Sequence, residues 1–93
     1  MDVREYPYGK SVLLNAVYDV LERLAIPLSS ADSRTGVIRF AGGKMELTAV
    51  LRDGGAATRV EIESAGRELA TVLLDELHAT LQHYFEMKRR TAV

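Results

Sequence analysis

From Ile26 to Ser64 the apolar residues recur at every second position, and glycines interrupt the run at Gly36, Gly42, Gly43, Gly54 and Gly55. A period of two belongs to strands with one covered face, and glycine supplies the backbone freedom of tight turns. On either side the period lengthens. Leu13, Leu14, Val17, Val20, Leu21 and Leu24 share one face of a helix over Lys10 to Leu24, opposite Asn15, Asp19 and Glu22. From Arg67 to Lys88 the stripe is Ala70, Leu73, Leu74, Leu77, Leu81, Tyr84 and Phe85, opposite Asp75, Gln82, His83 and Glu86. A sheet with one apolar face needs a cover, and these two stripes are what the chain offers for it.

The expected order is therefore β-α-β-β-β-β-α. Asp2 to Tyr6 is a first or edge strand stopped by Pro7, and Pro27 ends the first helix by pushing Ile26 toward extended backbone. Ile26 to Asp32 and Val37 to Ala41 are strands joined by a turn over Ser33 to Gly36. Gly42 and Gly43 turn into a strand whose Met45, Leu47, Ala49 and Leu51 point inward, with Glu46, Thr48, Val50 and Arg52 outward. Asp53-Gly54-Gly55 then closes a hairpin with Ala57 to Glu63 by supplying positive-φ positions. The prediction is one α+β domain over residues 1–93, an antiparallel sheet of about five strands with both helices on one face. Asp19 and Arg23 are spaced to pair along the first helix. Ser64 or Gly66 is placed to cap the second, while Lys88, Arg89 and Arg90 suit its negative end and Thr91 to Val93 fray.

Charge and composition narrow the function classes. Twelve basic and thirteen acidic residues are spread evenly, five of each before Gly43, so no basic footprint for nucleic acid or an anionic membrane exists. No apolar stretch has the length of a signal peptide or a membrane span, which leads us to expect a cytoplasmic chain, or a periplasmic one had a leader been removed. Cysteine is absent, so disulfides and thiolate metal sites are excluded.

Catalytic signals are weak. Gly9-Lys10-Ser11 follows a strand and opens a helix, but a phosphate loop wants a further glycine where Arg4 stands. His78 and His83 lie five residues apart, about 140° around a helix, so they cannot chelate one metal. His78 falls on the flank of the apolar stripe, at the helix-sheet seam, and His83 faces water. The serines sit in no nucleophile-elbow setting, and Asp32, Asp53 and Glu63 flank turns, where carboxylates satisfy local backbone. The expectation is a non-enzyme without cofactor or metal.

The informative polar set is Arg39, Arg52 and Arg59, which share the outer sheet face with Val50; Glu46, Glu61 and Glu63 stand nearby to neutralise them. Arg39, Val50, Arg52 and Arg59 are the candidate partner-binding residues, and Tyr18 is a further interface residue. A second stretch carries a resemblance. Asn15 to Leu24, Ile26, and then Asp32-Ser33-Arg34-Thr35-Gly36-Val37-Ile38 resemble the helix, strand and D-x-x-(S/T)-G-V-I hairpin of BamC-like helix-grip domains and related small bacterial domains of unassigned function. The match covers about the first forty residues, and the motif is structural, with Gly36 for the turn and Val37 and Ile38 entering the sheet. In that family the resemblance implies a non-enzymatic accessory domain of the outer-membrane barrel assembly machinery. This chain has no lipid-attachment cysteine and one copy of the domain, so what carries over is the fold and the absence of catalysis. Two functions are expected from this: an interaction domain that binds a protein or a second copy of itself through a sheet face or edge, or a module gripping a small apolar ligand between helices and sheet. Val17, Leu21, Leu73, Leu77, Phe40 and Leu47 are enough to fill that space, which favours the first.

Overall fold

The computed structural model describes residues 2–64 and 66–91, with side chains through Tyr84. Strands β1 (Asp2–Tyr6), β2 (Leu28–Asp32), β3 (Val37–Phe40), β4 (Gly43–Arg52) and β5 (Gly55–Ser64) and helices α1 (Lys10–Arg23) and α2 (Arg67–Thr91) follow the expected order. The sheet is antiparallel throughout and runs β1-β5-β4-β3-β2. Both helices pack on one face and against each other, α1 over β4 and β5, α2 over β5 and β1. The α+β prediction holds.

Between the layers lies one apolar cluster. Leu13, Val17, Val20 and Leu21 from α1 and Leu73, Leu77 and Leu81 from α2 meet Ile38, Phe40, Met45, Leu47, Val60 and Ile62 from the sheet, all buried. Tyr6 joins them from β1, and its hydroxyl donates to the Leu74 carbonyl of α2 at 2.9 Å, so the buried phenol's donor is satisfied. Burial raises its pKa, as it does that of Tyr84, whose hydroxyl donates to Asp19.

Several details depart from expectation. Asp19 and Arg23 do not pair along α1 but reach across to α2, Asp19 to Tyr84 and Arg23 to Glu76 at 2.6 Å and to the buried Thr80. Strand β2 begins at Leu28, because Ile26 belongs to the end of α1. There Ala25 takes φ +57°, its N–H donates to the Glu22 carbonyl and that of Ile26 to Leu21, closing the helix by a Schellman motif before Pro27 is reached. An alanine in that left-handed position costs about 1 kcal/mol. Ala25→Gly is therefore expected to raise stability by about 0.5–1 kcal/mol, measured as a higher denaturant midpoint with unchanged slope.

The turns also shift. Gly43 pairs with Phe40 as the first residue of β4, leaving Ala41 and Gly42 as the loop. Arg52 pairs with Gly55, so Asp53 and Gly54 are the loop and Gly55 alone of that trio takes positive φ. His78 is exposed, off the seam where its spacing put it; His83 is exposed as expected. Phe85, Glu86, Lys88, Arg89 and Arg90 have side chains outside the described part, as do Ala92 and Val93 altogether.

The largest difference concerns Ala49 and Leu51. Both are exposed, Leu51 at 90%. Their side chains do lie on the helix-facing side, but β4 has ten residues, about 33 Å, while α1 has fourteen, about 21 Å. The far end of β4 thus outruns α1, the helix that lies over it.

Candidate functional site

Beyond Leu47 the hairpin also outruns its neighbours in the sheet. On the β4 side β3 pairs only with Gly43 to Glu46, and on the β5 side β1 stops at the Tyr6 to Thr58 pair. What projects is a two-stranded ribbon from Thr48 to Ala57.

Its outer face is held by ion pairs. From its place opposite Gly55 of β5, Arg52 makes a bidentate bond to Glu5 of β1, Nε and Nη2 each 2.8 Å from a carboxylate oxygen. That bond lowers the Glu5 pKa and raises that of Arg52. Ala57 is buried although it faces away from the core. Next to it Arg59 pairs with Glu61 at 3.3 Å, and further along Lys44 pairs with Glu63 at 3.6 Å. Two of the three arginines of this face, Arg52 and Arg59, are thus paired with its own carboxylates.

Of the four candidate residues, three are brought together. Val50 and Arg52 are alternate residues of β4, and Arg59 is opposite Thr48 on the neighbouring strand. Arg39 shares the outer face but stands opposite Lys44, eight residues down β4 from Arg52, about 26 Å away. It lines a separate shallow depression with Gly42, Gly43, Lys44, Glu63 and Ser64. Leu51 and Glu5 were missed by sequence reasoning. The shortness of α1 bears on Leu51 only once α1 is known to lie over β4; Glu5 could not be linked to Arg52 without knowing that β1 lies beside β5.

The six side chains expected to fill the space between helices and sheet are all buried, Phe40 the most exposed of them at 4%. The described depressions of the surface open around strand ends and on the outer face instead. Among the described residues no three acidic or histidine side chains cluster to hold a metal, and no helix is long and apolar enough to cross a membrane.

The D-x-x-T-G stretch has a local role. Asp32 Oδ1 accepts from the N–H of Arg34 and of Thr35, the Gly36 N–H donates to the Asp32 carbonyl, and the Gly36 carbonyl accepts from Leu47. It fixes the β2-β3 turn against β4. No protein-family model matches the chain, and no curated protein does.

Proposed function

We propose that this chain is a small non-catalytic interaction domain that docks a protein through the projecting β4-β5 ribbon. The observation that carries this reading is Leu51, a leucine almost fully in water on a strand whose edge lacks a neighbour. Exposed apolar side chains on an unpaired edge mark places where another chain adds to a sheet. Val50, half-buried on the other side of the same strand, and Arg52 and Arg59 beside it supply the kind of apolar centre and arginine rim found at interfaces. The resemblance to BamC-like accessory domains accords with a role in assembly rather than catalysis. The packed interior is why we place the contact on the ribbon and not in a helix-grip cavity.

The test compares two baits in native lysate, the wild-type chain and the double variant Val50→Lys, Leu51→Lys. Two charges on the ribbon leave the core untouched, so both should melt within a few degrees of each other. A protein retained at least tenfold better by the wild type is the expected result; equal retention of every protein by both baits overturns the reading.

A further inference from the structure

Open backbone edge among the described residues lies along β1, along β2, on β4 beyond Leu47 and, for three residues, on β5 before Thr58, and the first two are blunted. β1 carries Asp2, Arg4 and Glu5 and ends at Pro7; β2 is broken by a register shift between Leu28 and Ser30. Charges, proline and bulges are the usual defences against another strand. On β4 the stretch from Leu47 to Leu51 has none, the first charge being Arg52 at the strand's end. Leu47-Thr48-Ala49-Val50-Leu51 is uncharged, free of proline and in unbroken register with β5. The Leu47 N–H points to the β3 side, where it donates to Gly36. Strand alternation then sends the N–H and C=O of Ala49 and Leu51 to that same side, past the end of β3.

The occupant of this edge is restricted by its neighbour. An incoming antiparallel strand starts beside Arg52 and runs toward Leu47, where the Ser33 to Gly36 turn blocks it after about four residues. It must therefore be a strand that turns aside there, which a long peptide does not do but the tip of this ribbon does. We propose that the occupant is a second copy of this chain, paired antiparallel about a two-fold axis at Leu51. This deepens the interaction reading above and rests on it.

In that register Leu51 covers its own copy on the helix side, and Val50 lies opposite the partner's Arg52, whose charge its own Glu5 neutralises. The partner's chain then turns away at Asp53 and Gly54, setting the acidic Asp53 against the basic Arg34 of the blocking turn. Arg34 and Asp53 are both exposed, and neither is in an ion pair among the described residues. The contact is small, of the weak, transient class, so association is read at about 0.5 mM protein.

The chain lacks cysteine, which permits single-site disulfide trapping. Directly opposed antiparallel residues have Cα atoms about 5.5 Å apart, within disulfide reach. Leu51→Cys should give mostly covalent dimer under mild oxidation, at least tenfold more than Arg39→Cys at the far end of the sheet. Asp53→Arg and Arg34→Asp should each weaken association of the uncrosslinked protein at least threefold in sedimentation, and the two together should restore it. A monomer at 0.5 mM, or stronger trapping through Arg39→Cys, overturns the second copy as occupant. The bait comparison remains a separate judge of the ribbon as a docking surface.

Discussion

Gly36→Ala should destabilise the domain by roughly 3 kcal/mol, an effect large for a side chain of one carbon. Gly36 takes φ +79°, where a Cβ costs about 1–2 kcal/mol on its own. The added carbon would also fall against the Leu47 carbonyl oxygen and crowd the end of Lys10. The lysine can swing away, but the carbonyl belongs to β4. Relief requires the turn to lift, which opens the Leu47 N–H to Gly36 bond, worth about 1 kcal/mol. Urea denaturation should show a lower midpoint at unchanged slope. Gly54→Ala is the control. It sits in another turn with open space around its Cβ position and no positive φ, so its cost should stay within about 0.5 kcal/mol.

Leu77→Ala is the second large effect, about 2–5 kcal/mol. Leu77 has no exposed surface and belongs to the single cluster between the layers. Truncation removes its transfer energy and leaves a hole that a helix pinned at Arg23–Glu76 and Tyr6–Leu74 is poorly able to close. A domain of this size holds roughly 5–14 kcal/mol in total, so the variant should lose a large share of its resistance to denaturant. Val72→Ala, on the exposed side of the same helix, should change little.

These effects fall where the sequence was easiest to read. Periodicity placed Leu77 correctly because burial of one face is a local pattern repeated over many residues, and Gly36 stood out as the turn residue that interrupts such a pattern. Leu51 shows where that pattern stops being informative. Alternation gives the side of the sheet a residue lies on, but whether that side is covered depends on how far the helices reach. Ala25 was hidden for another reason: φ is positive there although the residue is not glycine, and the Schellman bonds outweigh the local strain. Arg23 and Asp19 chose partners across helices rather than along one, which no spacing rule within α1 could show. As for the candidate site, parity alone put Val50, Arg52 and Arg59 on one face, whereas the distance to Arg39 and the Glu5 clamp depend on strand order, and several orders satisfy the same hairpins.

That order places β1 beside β5, with the first strand of the chain completed by the fifth. A ribosome that has just released Tyr6 must add about sixty residues before the pairing strand exists, roughly 3–12 s at ordinary elongation rates. Throughout that interval the amino-terminal segment has nothing native to hold, and Tyr6, destined for the core, stays in water. Helix α1 and the three hairpins joining β2 to β5 can form in sequence as they emerge. The nascent chain should therefore assemble from its middle outward, the amino-terminal strand and the final helix closing the domain together.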